Sequence, residues 1–301
     1  MDLYLSIVLC FMMSLLFSWN NSSLFISGLI SSGLAKFRRL AFFITASMMI
    51  GLMLEGWKMN PGKIVIPQLF TISIIAVSVT LLICNLLKVP VSISNIAVAS
   101  LIGVSLSMNM QIDQTFVVKT FLAWVLTPLA ALILTPLTYS MLAKLFSHLG
   151  EDLTYLSTRI LIYSASFYGA YTISANNLGF LLPTICQSYE PVYIIAFIGV
   201  FLGTYLFSEK VSYTIGGRLA ILSPLQLSSS LLTSSLLLWI LTQIAIPAAL
   251  TQIMLGSLIG SAFSSPISII NVRLLRKIAA LWMLSFFLGL AISFLLGVML
   301  K

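Results

Sequence analysis

The residues able to do chemistry in this chain are hydroxyls and amides set inside apolar segments. They fall in four clusters: Asn20, Asn21, Ser22 and Ser23; Ser92, Ser94 and Asn95; Thr172, Ser174, Asn176 and Asn177; and Thr251 with Gln252. Such groups hydrogen-bond without carrying charge. A helix that starts beside them adds unpaired N–H groups and the positive end of its dipole. Together these suit a cage for a small anion. The competing role for each residue is bonding between membrane helices, a common use of serine and asparagine in lipid. Lys88 adds a cation beside the second cluster. Charge at membrane depth is costly and points to function, although a lysine also snorkels to the interface where the chain crosses fully. No carboxylate pair, His-x-x-x-His spacing or Gly-x-Ser-x-Gly motif occurs. An enzyme is therefore not expected, nor a bound metal or cofactor.

These residues need elements to hold them, and composition says which kind. The chain of 301 residues is 60% hydrophobic and 7% charged, against about 25% charged in a soluble domain. Long apolar runs, rather than short alternating strands, indicate an all-α integral membrane protein and exclude a transmembrane barrel. The net charge of +8 reads as a topology signal, not as a nucleic-acid surface. Cys10, Cys84 and Cys186 lie in or beside apolar segments and read as packing residues. The N-terminal MDLYLS lacks a basic flank, so the first segment reads as a retained helix rather than a signal peptide.

Two stretches repeat. Lys88 to Ser107 is matched by Ala245 to Ser264 at a constant offset of 157 residues (247 − 90 and 260 − 103). Pro90 pairs with Pro247, and Ser100 to Gly103 pairs with Ser257 to Gly260. In each copy a proline breaks an apolar run, and proline removes a backbone donor. In lipid the freed backbone groups are tolerated only within protein or beside a water-filled cavity. Broken segments at matching positions of two halves point to a transporter's binding site.

The chain order supports two halves. The first is expected over 1–143, with a helix broken near Asn20 to Ser23 and a re-entrant hairpin with its tip near Pro90. A loop is expected at 144–152. The second half, 153–301, is expected to carry an interruption at Thr172 to Asn177 and a hairpin tip near Pro247. With both hairpins re-entrant and the N-terminus outside, Lys36, Arg38, Arg39, Lys144, Arg159, Lys210, Arg218, Arg273, Arg276 and Lys277 fall on the cytoplasmic side. That placement follows the positive-inside rule and makes the repeats inverted.

At this point the sequence resembles the inorganic phosphate transporter family of sodium– or proton–phosphate symporters. Pro90-Val91-Ser92-Ile93-Ser94-Asn95 with Gly103 resembles the family's PVSTTH-type hairpin, and Pro247 to Gly260 is similar more weakly. Ser18-Trp19-Asn20-Asn21 and Ala170 to Gly179 (AYTISANNLG) resemble its two GANDVAN-type motifs, and Ser31-Ser32-Gly33 is also similar. The resemblance implies two inverted repeats, a tetrahedral oxyanion as substrate and a location in the plasma membrane. Asn21 and Ile173 stand where the motifs carry aspartate, and Met48 where many members carry a helix glutamate. In this the chain is similar to the sulfate permease branch. Sulfate is fully deprotonated, so a carboxylate would only repel it. The expectation is a secondary transporter for phosphate or sulfate. An anion-selective channel and a non-transporting scaffold are the alternatives. Expected partners are the anion, membrane lipid and protons as coupling ion; a homodimer is a compatible assembly. Sodium is not the expected driver, because no carboxylate lies at depth.

Overall fold

The computed structural model describes residues 3–31, 36–60, 67–87, 91–182, 191–209, 212, 220–264 and 269–300. Ten helices follow one another within these residues. The first five are α1 (Leu3–Ser31), α2 (Phe37–Glu55), α3 (Pro67–Leu86), α4 (Ile93–Ser107) and α5 (Gln114–Phe146). The second five begin with α6 (Glu151–Ile173), which runs on through a wide turn at Ser174–Leu178 into Gly179–Leu181. Then come α7 (Pro191–Leu202, continued through a second wide turn to Phe207), α8 (Pro224–Gln243), α9 (Leu250–Ala262) and α10 (Val272–Met299). A two-residue antiparallel pair joins β1 (Ala220–Ile221) to β2 (Ile269–Ile270). Helices are the expected solution in lipid, because each satisfies its own backbone.

Six stretches, Tyr4–Ile30, Phe37–Met59, Leu69–Leu86, Gln114–Phe146, Pro224–Gln243 and Val272–Met299, are long and apolar enough to cross a membrane. The chain is a multi-pass membrane protein. α4 and α9 are shorter, at 15 and 13 residues, or roughly 20 Å by helical rise, against a hydrocarbon core of about 30 Å. Each is the second arm of a helical hairpin, packed on α3 or α8 respectively.

The halves are interlaced. α10 lies along α4, and α5 lies along α9, so each half's last helix covers the other half's short arm. The same exchange joins α1 to α7 and α6 to α2. The crossings depend on glycine. A β-carbon at Gly103 of α4 would collide with the Leu290 carbonyl of α10, and one at Gly260 of α9 would collide with the Leu132 carbonyl of α5. These are small-residue contacts that let backbones touch in lipid. Pro136 lacks an N–H, so the Leu132 carbonyl has no helical donor; the close approach of α9 covers it.

Three sequence expectations change. α1 is continuous through Asn20 to Ser23, where a break was expected. The reason is local: the Asn21 amide, Ser22 and Ser23 donate to the carbonyls of Phe17, Ser18 and Asn20, so these three are satisfied within their own helix. At Thr172 to Asn177 the helix widens at Ser174–Leu178 instead of ending. The polar loop between the halves is Ser147 to Gly150, shorter than 144–152, because α5 runs on to Phe146 and α6 starts at Glu151.

Most of the described cations gather at one end of the bundle; Lys58 and Lys119, near the start of α5, lie toward the other. Lys36 and Arg39 share a groove with Arg159, and Arg159 shares another with the end of α5 and the start of α8. The β1–β2 pair brings the start of α10, with Arg273, Arg276 and Lys277, to that same end. Lys210 and Arg218 lie outside the described residues. Glu55 and Lys58 pair at the far end of α2, 3.2 Å apart.

Candidate functional site

The second hairpin shows how a polar tip is built in apolar surroundings. α8 starts with a reciprocal cap: Ser223 accepts from the Gln226 N–H while the Gln226 side chain accepts from the Ser223 N–H. Gln226 also donates to the Ser261 carbonyl, and the Ser261 hydroxyl donates to the Gln226 carbonyl, fastening the two arms at their base. α8 ends at Gln243. The chain reverses at Ile244–Ala245, where Ala245 takes a left-handed φ of 55°. Pro247 follows on the return stretch rather than at the reversal itself. α9 then begins at Leu250.

Buried backbone in that return stretch needs partners. Asn176, in the wide turn of α6, supplies them. Its amide nitrogen donates to the Ile246 carbonyl at 3.0 Å and to the Thr242 hydroxyl at 3.1 Å, and its oxygen accepts from the Ala248 N–H at 2.9 Å. The Trp124 indole of α5 donates to the Pro247 carbonyl at 3.2 Å. Trp124 lies ten residues into α5, about 15 Å from its start by helical rise, so the stretch sits in the interior of the bundle. Asn176, one of the expected site residues, bonds to the second hairpin through both of its amide atoms.

The first half repeats the arrangement. The Asn20 amide donates to the Asn85 side chain at 2.8 Å, and Asn85 donates to the Leu16 carbonyl at 3.0 Å. Asn20 and Asn176 are 156 residues apart (176 − 20), and Asn85 and Thr242 are 157 apart (242 − 85). In each half, an asparagine of the first helix therefore holds the last turn of the third. Lys88 and Pro90 lie outside the described residues. The Ser92 hydroxyl caps α4 by accepting from the Asn95 N–H.

The first turns of α4 and α9 carry the remaining candidates. Ser94 corresponds to Thr251 and Asn95 to Gln252, again at 157 residues. Ser94 shares a hydrogen bond with Ser92 at 3.1 Å. Asn95 Oδ1, Thr251 Oγ1 and Gln252 Oε1 are buried with no hydrogen-bond partner among the described residues, and so is Ser174 Oγ beside Asn176. An unsatisfied buried polar atom costs about 1–3 kcal/mol, and these four are among the thirteen such atoms of the described residues. The rest of the expected set separates cleanly. Asn21, Ser22 and Thr172 bond to carbonyls of their own helices. Asn177 is buried beside Asn176. Asn85, Thr242 and Trp124 were not expected. The 157-residue offset between Asn85 and Thr242 was the signal that could have found the first two.

Fold and site together define a multi-pass, all-α membrane protein with two helical hairpins, α3–α4 and α8–α9. Comparison with known proteins specifies it further. The profile of the phosphate transporter family matches residues 150–293. A protein of Methanocaldococcus jannaschii named "Putative phosphate permease" is 26% identical over 300 residues, covering 97% of this chain and 96% of its own length. A solved structure described as the sodium-dependent phosphate transporter shares the fold, with a TM-score of 0.80 at 15% identity over 99% of this chain and 98% of its own. The motif-level resemblance to the phosphate transporter family is thereby borne out. These relatives are named as transporters and permeases, not as enzymes.

Proposed function

We propose that the chain is a secondary transporter that carries inorganic phosphate by alternating access between two inverted repeats. One observation carries the proposal. The first turns of α4 and α9 present the same hydroxyl–amide pair, Ser94–Asn95 and Thr251–Gln252, with buried oxygens unpartnered at three of the four positions among the described residues. The match to the phosphate transporter family and the names of its relatives support the substrate. The exchanged packing of the halves and the cations at one end support inverted repeats, with that end cytoplasmic. The plasma membrane as location, protons as coupling ion and a homodimer as assembly belong to the same reading.

Phosphate fits these groups for a chemical reason. Near neutral pH it still carries protons, so it donates to amide and hydroxyl oxygens while accepting from hydroxyls and helix N–H groups. Sulfate only accepts. A site built around buried acceptors rejects an analogue that lacks the donor. This weighs against the sulfate reading, which the missing motif aspartates favoured.

Uptake of labelled phosphate into proteoliposomes tests the proposal. Phosphate uptake should saturate and be competed weakly by sulfate. Thr251→Val and Gln252→Leu should each raise KM about tenfold, near 1.4 kcal/mol for one lost hydrogen bond. Exchanging sodium for choline should leave uptake within about twofold, since the carboxylates of the described helices, such as Glu55, Glu151 and Asp152, sit at helix ends and none lies mid-helix to hold a hard cation. Stronger uptake of sulfate than of phosphate would reject the substrate assignment, and linear, non-saturating flux would favour a channel.

A further inference from the structure

α2 and α6 run side by side in the same direction. The Ser47 hydroxyl donates to the Phe167 carbonyl at 2.5 Å, and four residues further along both helices Gly51 lies against the Tyr171 carbonyl. The register is constant: 167 − 47 and 171 − 51 both give 120. Carried back two turns from Ser47 and Phe167, the same register sets Arg39 opposite Arg159. There the helices have parted and leave a groove of about 1080 Å³. Its rim carries three cations, Lys36, Arg39 and Arg159, and no acidic residue is among the described residues that line it. Its walls are Phe43, Ile44 and Phe167, with Phe43 and Phe167 exposed.

We propose that this groove is a docking site for an anionic phospholipid. The headgroup phosphate sits among the three cations, and an acyl chain runs down the apolar walls toward Ser47. The depth agrees: Ile44 lies eight residues beyond Lys36, about 12 Å along the helix. A basic pocket between membrane helices, on the side that collects cations, matches the known chemistry of headgroup recognition. Free phosphate would use the cations but gains nothing from the aromatic and aliphatic walls. The groove is lined by none of the unpartnered hairpin oxygens, so it is separate from the transport site.

Native mass spectrometry of the purified full-length chain in detergent tests this, with phosphatidylglycerol, phosphatidylcholine and inorganic phosphate as probes. Phosphatidylglycerol should be retained over phosphatidylcholine. K36Q/R39Q should weaken its retention about thirtyfold, two cations at about 1 kcal/mol each, while the charge-keeping K36R/R39K retains it. Lys36 and Arg39 are both exposed, and an unchanged melting temperature verifies folding. Equal retention of the two lipids overturns the proposal. So does unaltered retention by K36Q/R39Q, loss by K36R/R39K in a folded protein, or displacement of the lipid by millimolar inorganic phosphate.

Discussion

The two hairpins share a plan and differ in how they finish it. Ser92 caps α4 with its own hydroxyl, whereas the equivalent residue before α9, 157 positions later, is Ala249 and has no side chain to do so. Asn20 sits in a regular helix, while Asn176 sits in a widened turn that lets one side chain reach both backbone groups flanking Pro247. The first hairpin thus satisfies its helix end from within. The second leaves the start of α9 without a side-chain cap and is braced from another helix. Near-duplicate sequence can therefore finish a helix in two ways: α4 with a side-chain cap, and α9 without one.

The largest effect should come from what the hairpins share. Gly103→Val and Gly260→Val each push a side chain into a backbone carbonyl of the covering helix, which cannot rotate away. Each should cost about 3 kcal/mol or more, seen as loss of folded protein in thermal unfolding. Comparable losses sharpen the two-fold comparison, and tolerance at only one site breaks it.

A smaller effect separates the hairpins. Asn176→Leu strands the Ile246 carbonyl and the Ala248 N–H, at roughly 1–3 kcal/mol for each buried group. Hydrogen exchange should rise across 244–249 and leave α4 protected. Uniform loosening of both hairpins would show that Asn176 supports the whole core instead.

The smallest change tests the cap. Ala249→Ser restores the residue type found at Ser92 and should stabilise α9 by about 0.5–1 kcal/mol. Because the new hydroxyl competes for the same N–H groups, phosphate affinity should fall as stability rises. A gain in both would remove the distinction drawn between the two helix ends.

The architecture was legible in the sequence where periodic signals were strong. Long apolar runs gave the helices, and the repeat of Ser100 to Gly103 at Ser257 to Gly260 marked the short arms α4 and α9, while the tip expected near Pro90 lies outside the described residues. The break expected at Asn20 to Ser23 was not there, because hydroxyls and amides bond to carbonyls three or four residues back and sequence does not reveal that choice. The same ambiguity hid the division of labour among polar residues. Asn176 and Thr251 look alike as candidates, yet one is saturated by hairpin backbone and the other is unpartnered among the described residues. Trp124 was invisible because its role depends on a carbonyl 123 residues away.

The interlacing of the halves also sets a schedule for biosynthesis. α4 is complete at Ser107, but the helix that covers it begins at Val272. At about 5–20 residues per second, the short arm waits on the order of ten to thirty seconds for its partner. During that interval its glycine-bearing face has no permanent neighbour. A nascent chain stalled before α10 would leave α4 uncovered and α9 already clothed by α5, so the earlier hairpin is the one that matures last.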